Sequence, residues 1–261
     1  MYLKVTAKSQ ALMRAVDFHV ILPYHDGYPD AGRPYPTLYF LPGFSGNAEE
    51  IVFALPLRQM AARYGMAVVV PDGENSFYTD HPERAACHGV YAGEELRAIA
   101  LRLFPCLSPR REDTFIGGIS MGGYGALVLG LSHADLYGKI AVFSPAAEAD
   151  LLLNGREDSA PGAVPSSLFG ALLEGPAVYE SSPRLNPLRA VEAALAGGKA
   201  IQPIWMCCGE EDLLVRGACA HFSAFLREKG VRHTFVGGKG GHDLIYWDEH
   251  LEEAFRFLAE R

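Results

Sequence analysis

The sequence predicts an α/β fold: a mostly parallel sheet of about eight strands with helices on both faces. Three observations carry this. Short continuous apolar runs such as "MAVVVP" and "IWMCC" read as strands buried on both sides. They alternate with stretches whose apolar residues recur at helical spacing. The length, 261 residues with 49% apolar composition, suffices for one large core and shows no bias toward disorder. No internal repeat, long linker or low-complexity tract interrupts the pattern, so residues 1–261 are expected to form a single domain.

The elements follow in order. "YLKVTAK" and "VDFHVILP" are strand-like, and the Pro/Gly-rich loop after them leads to the buried strand "TLYFLP". Asn47 with Glu50 three residues on marks a helix start, and the helix is expected to run to about Tyr64 with a kink at Pro56. "MAVVVP" is the next strand. "AGEELRAIALRLF" has Leu96, Ile99, Ala100 and Leu103 at helical spacing. "DTFIGGI" reads as a strand and "MGGYGALVLGLSH" as a helix despite its glycines. "KIAVFSP" and "QPIWMCCG" are strands. "VRGACAHFSAFLREKG" is a helix, "VRHTFVGG" a strand and "WDEHLEEAFRFLAE" a terminal amphipathic helix. Residues 148–186, rich in Pro, Gly and Ser, read as an insertion capping one end of the sheet.

The charge balance, −8 net from 31 acidic and 23 basic residues, disfavours nucleic acid or an anionic membrane as partner. The five cysteines fit neither a disulfide framework nor a zinc site, and no metal or organic cofactor is expected. The first ten residues lack the apolar core of a signal peptide, and no apolar run approaches the ~20 residues of a membrane span. A cytoplasmic setting is the expectation. The composition leaves a homo-oligomer open.

Ligands bind beyond the carboxyl ends of parallel strands, so the chemistry is sought there. Gly118-Ile119-Ser120-Met121-Gly122 fits G-x-S-x-G at a strand–helix junction, which makes Ser120 a candidate nucleophile. A serine on such a sharp turn projects its hydroxyl clear of the sheet, and flanking glycines permit the backbone contact. Close helix–sheet packing alone would also explain those glycines. A serine hydroxyl needs a base oriented by a carboxylate. The strand "IWMCCG" is followed by Glu210, Glu211 and Asp212, with Asp212 the first choice and Glu211 the alternative. "VRHTFVGG" is followed by "KGGHDL", and of nine histidines His242 alone sits past a strand end in the order Ser, acid, His. For the oxyanion, Met121 N–H follows the nucleophile. A second donor is expected after the strand "TLYFLP": Phe44, with Ser45 next.

With these residues in hand, the chain resembles the esterase D and tributyrin-esterase group of α/β hydrolases, related to S-formylglutathione hydrolases and feruloyl esterases. "GISMGGYGA", "VVVPDGENSFYTD", "CGEEDLL" and "GGHDLIYWDEHLEEAFRFL" carry the resemblance over nearly the whole length. It implies the α/β-hydrolase fold, a serine carboxylesterase acting on short-chain acyl esters of small molecules, and Asp212 as the acid. The group's His-Gly in the oxyanion loop is here Pro42-Gly43, which leaves the support of that loop in question. The resemblance also places Phe77 and Tyr78 near the site, as walls of the acyl or alcohol pocket, and Leu168 and Phe169 are candidates for the cap. Thioester hydrolysis, and deacylation of carbohydrate or cinnamoyl esters, share the mechanism. A peptidase or a non-catalytic binding protein on the same scaffold are the remaining alternatives.

Overall fold

The computed structural model describes residues 1–23, 34–148 and 166–260. The chain opens with an antiparallel pair, β1 (Tyr2–Ser9) and β2 (Arg14–Ile21). Then come β3 (Thr37–Leu41), β4 (Ala67–Pro71), a small hairpin of β5 (Asp80–His81) and β6 (Ala86–Cys87), β7 (Thr114–Ile119), β8 (Lys139–Phe143), β9 (Ile204–Gly209) and β10 (His233–Gly238). Eight of these form one sheet in the order β1-β2-β4-β3-β7-β8-β9-β10. β2 runs antiparallel to β4, and every pairing from β4 to β10 is parallel. This is the α/β-hydrolase arrangement that the sequence predicts.

Period-two alternation explains how the sheet serves two cores. Leu38 and Phe40 on β3, with Val68 and Val70 on β4, join a cluster that holds Leu57, Met60, Leu251 and Phe255. Tyr39, Leu41 and Val69 face the other way and pack with Leu96, Leu127, Val191 and Phe222. Both faces are therefore covered, which is why the strands read as unbroken apolar runs.

The helices depart from expectation in several places. α1 (Ala48–Ala54) and α2 (Leu57–Tyr64) are separate, not one helix kinked at Pro56. Leu55, just before the proline, is extended at φ −106° and ψ 147°, since the proline ring disfavours helical geometry in the residue before it. The next helix begins at His88 rather than Ala92. A short α3 (His88–Val90) widens into a π-helical stretch over Tyr91–Glu95 and continues as α4 (Leu96–Leu103). That stretch turns the Glu95 carboxylate onto the β1–β2 connection, where it accepts from Ser9 Oγ (2.5 Å), Gln10 N (2.6 Å) and Ala11 N (3.3 Å).

α5 (Met121–Ser132) is buried along all but its last residue. Of the insertion expected at 148–186, residues 149–165 lie outside the described residues. The rest carries α6 (Ser166–Leu172) and α7 (Pro176–Ser181), with Leu173, Tyr179 and Leu185 built into the main core. α8 (Pro187–Ala196), not anticipated, follows, capped by the Asn186 side chain. α9 (Arg216–Glu228) and α10 (Leu244–Ala259) complete the chain. Among the described residues, no helix is long and apolar enough to cross a membrane. The chain moves outward from β3 to β4, then returns past β3 to β7. In such sheets ligands bind in the crevice at that reversal, which here falls beyond the carboxyl ends of β3 and β7.

Candidate active site

Ser120 stands at this crevice, between β7 and α5. Its backbone holds φ 55° and ψ −114°, a region a residue with a Cβ seldom occupies. The surroundings impose it. Ser120 N donates to Phe143 O (2.9 Å), while Ser120 O accepts from Tyr124 N (2.9 Å) and Ala146 N (3.2 Å). The turn is tight enough that a Cβ on Gly122 would collide with the Leu41 carbonyl. β3 and the start of α5 can therefore meet only across a glycine.

The acid and histidine loops meet by a similar close approach. Glu210 N donates to Gly238 O (2.8 Å) and Glu211 N to Gly240 O (2.9 Å). A Cβ on Gly209 would overlap the Gly240 carbonyl. Glu210 and Glu211 point to solvent, whereas Asp212 is wholly buried. His242 Nδ1 lies 2.8 Å from Asp212 Oδ2, and His242 Nε2 lies 2.9 Å from Ser120 Oγ. Three side chains distant in sequence thus form one hydrogen-bonded line.

Burial pushes the Asp212 carboxyl upward, but the balance falls below the usual aspartate value. The hydrogen bond and charge of His242 come first among the opposing causes, then Val215 N–H and the Ser144 hydroxyl. Leu214 N (3.0 Å) and Val215 N (3.1 Å) both donate to Asp212 Oδ1. The carboxylate stays ionised and fixed, as a group that orients an imidazole must.

Ser144 was not anticipated from sequence. It is fully buried at φ 41°, at the end of β8, and accepts from Trp247 Nε1 at 3.1 Å. The Trp247 ring meets the His242 ring edge-on, 5.2 Å between centroids at 86°. Trp247 and Ser144 together brace both the histidine and its acid. Only the position of Ser144 just past a strand end could have drawn notice.

Met121 is the first residue of α5, so its N–H has no partner within the helix. Phe44 follows β3 across the crevice. Among the described residues, neither N–H donates to a protein acceptor. Ser45, the alternative donor, is committed elsewhere: its N–H goes to Asn75 Oδ1 at 2.6 Å and its hydroxyl to Phe44 O at 2.7 Å. Beside Phe44 stand Phe77 (6.0 Å between centroids) and Phe169 (6.0 Å), themselves 5.4 Å apart at 88°. Leu168, the other cap candidate, is exposed to solvent. Tyr78, expected on a pocket wall, is instead buried beneath the loop after β3, its hydroxyl donating to Pro42 O at 3.0 Å.

The arrangement can do nucleophilic acyl chemistry: a hydroxyl touching a base, a base held by an anion, and free N–H groups nearby. Among the described residues, no group of three or more His, Cys, Asp or Glu is placed to hold a metal ion. A family model described as "Putative esterase" matches residues 9–258. An acetyl esterase of Caldicellulosiruptor saccharolyticus is 32% identical, over 86% of this chain and 83% of its own. An S-formylglutathione hydrolase of Paracoccus denitrificans is 31% identical, over 54% of this chain and 55% of its own. Among solved structures, the substrate-bound fluorophosphonate-binding serine hydrolase FphF of Staphylococcus aureus superposes with a TM-score of 0.85. It covers 100% of this chain and 99% of that one at 24% identity.

Proposed function

The chain belongs to this esterase family and acts on ester bonds as a serine hydrolase, and from that premise we propose that it is a carboxylesterase for short acyl chains, with Ser120 as nucleophile. One observation carries the reading: the unbroken line from Ser120 Oγ through His242 to Asp212, with contacts of 2.9 and 2.8 Å. His242 Nε2 takes the Ser120 proton as Oγ attacks the ester carbonyl. Asp212 holds Nδ1–H, fixing the tautomer and stabilising the imidazolium. Phe44 N–H and Met121 N–H receive the oxyanion, each such donor being worth ~100- to 1000-fold in rate. Collapse of the tetrahedral intermediate expels the alcohol, protonated by His242. Water, deprotonated by the same histidine, then releases the acid and regenerates Ser120.

The aromatic trio of Phe44, Phe77 and Phe169 supports the preference for short chains. Phe77 and Phe169 are buried and set edge to face, so they close off space beside the oxyanion donor. The acetyl esterase relative agrees with a small acyl group. The S-formylglutathione hydrolase relative supports a second reading, a thioester as the bond cleaved by the same residues.

A panel of p-nitrophenyl esters from acetate to decanoate, with a feruloyl ester and an acyl thioester added, tests both. Ser120→Ala is expected to lose activity by about a million-fold. Rates are expected to fall as the acyl chain lengthens, and Phe169→Leu to move the optimum toward longer chains. Equal rates for wild type and Ser120→Ala would overturn the esterase reading. A thioester rate well above all oxygen esters would favour the second.

A further inference from the structure

The segment from Gly73 to Tyr78 has an unusual backbone. Glu74, Asn75, Phe77 and Tyr78 all lie in the left-handed region, at φ 49°, 55°, 51° and 53°. None is glycine, and only asparagine among them visits that region readily, so the conformations of Glu74, Phe77 and Tyr78 must be imposed by contacts elsewhere. Those contacts converge on one target. Asp72 Oδ1 accepts from Ala48 N (2.7 Å), Asn75 Oδ1 accepts from Ser45 N (2.6 Å), and the Tyr78 hydroxyl donates to Pro42 O (3.0 Å). Pro42 and Ser45 belong to the connection between β3 and α1, and Ala48 is the first residue of α1.

The places where they grip are informative. The Pro42 carbonyl belongs to the peptide joining Pro42 to Gly43. The Ser45 N–H belongs to the peptide joining Phe44 to Ser45. Between them lies one peptide, Gly43–Phe44, and it carries the Phe44 N–H. The Gly43 carbonyl of that unit accepts only a long bond from Gly46 N, at 3.4 Å, a weak restraint on a peptide that turns at a glycine. With both neighbouring peptides held, the orientation of the N–H is fixed. The Phe77 ring beside the Phe44 ring adds a third restraint. Tyr78 is itself immobile: buried, it packs its ring against Gly125, where a Cβ would strike it.

We propose that Asn75 and Tyr78 are positioning residues for the oxyanion hole, clamping the peptides on either side of Phe44 N–H. The inference rests on the assignment of that N–H as an oxyanion donor. It is also compatible with Pro42. A proline offers no N–H, but its carbonyl is the handle that Tyr78 holds. Burial holds the Tyr78 phenol well above its ordinary pKa, so the hydroxyl remains a donor throughout the assay range.

Three variants test the clamp. Tyr78→Phe removes one oxygen and keeps the ring. Asn75→Gly removes the acceptor and suits the left-handed backbone. Asn75→Asp keeps an acceptor oxygen. An oxyanion donor stabilises the transition state more than the ground state. Tyr78→Phe and Asn75→Gly are therefore each expected to lower kcat roughly 10-fold with KM within about twofold, since small misplacements at such sites cost up to 100-fold. Affinity for a trifluoromethyl ketone, which forms an oxyanion on the serine, should fall in the same proportion as kcat/KM. Asn75→Asp should restore both. An unchanged kcat in both clamp variants, or a raised KM with kcat intact, would overturn the clamp while leaving the esterase reading in place. If Tyr78→Phe does not fold, Asn75→Gly decides alone. Ser120→Ala separates the two questions, because its full retention of activity would remove the underlying reading first.

Discussion

Ser120 trades conformational comfort for reach. At φ 55° and ψ −114° it carries a Cβ where few residues do, a strain of about 1–3 kcal/mol. Ser120→Gly and Ser120→Ala both lack the hydroxyl, but only glycine relieves the strain. Ser120→Gly should therefore unfold about 1 kcal/mol later than Ser120→Ala in denaturant, after allowing for glycine's extra chain entropy. Equal midpoints would show that the turn is not strained. The positions of Ser120, Asp212 and His242 were legible because each follows a recognisable strand and lies in the required order. The choice of Asp212 over Glu211 was less so, since three acids stand in a row and only burial separates them. Ser144 offered only its place just past a strand end, and Tyr78, which the resemblance puts on a pocket wall, gave no sign of its bond to Pro42. Their partners, Trp247 and Pro42, lie 103 and 36 residues away, and nothing in the adjoining sequence marks the contact.

At the level of elements, α8 begins on a signal that the sequence does carry. Asn186 followed by Pro187 is a helix start in which the amide caps and the proline's missing N–H costs nothing. In the structure Asn186 Oδ1 accepts from Leu188 N at 2.9 Å and Arg189 N at 3.5 Å. Asn186→Ala is expected to lower stability by about 1 kcal/mol in chemical denaturation and to leave kcat unchanged. A loss of kcat without a loss of stability would contradict this. The break between α1 and α2 was half legible: Pro56 flagged the place, but whether a proline kinks or ends a helix depends on what the two halves pack against. The π-helical stretch had no sequence cue. It accompanies the bonds of Glu95 to Ser9, Gln10 and Ala11, some 85 residues back in the chain, which local periodicity cannot register.

Across the whole molecule, two buried histidines tie stability to pH. His19 hydrogen-bonds Tyr2 Oη through Nδ1 at 2.7 Å, and burial, with the charge of Lys4, holds its pKa below the ordinary imidazole value. His88 is lowered too, chiefly by burial, and among the described residues its Nδ1 finds no partner. The folded state thus favours neutral rings. Their contribution is complete above the unfolded pKa of about 6.5 and is lost as pH falls toward the folded values. The melting temperature should drop between pH 7.5 and 5, and His19→Asn, though less stable at pH 7.5, should show the shallower slope. A parallel slope in the variant would exclude His19 as a source. The sheet order was legible only as a class, because the sequence fixes neither which strands adjoin nor where the order reverses; that reversal puts Phe44 and Ser120 on the same crevice.

The bracing of His242 by Trp247 has an optical consequence. The chain has two indoles. Trp205 is sealed in the core against Phe143, 5.2 Å away, whereas Trp247 meets the imidazole edge-on. An acyl group on Ser120 Oγ breaks the contact that this oxygen makes with the ring Trp247 touches, and leaves the surroundings of Trp205 as they were. Acylation is therefore expected to change the emission of one indole only, which stopped-flow fluorescence of unlabelled enzyme with a colourless ester would check.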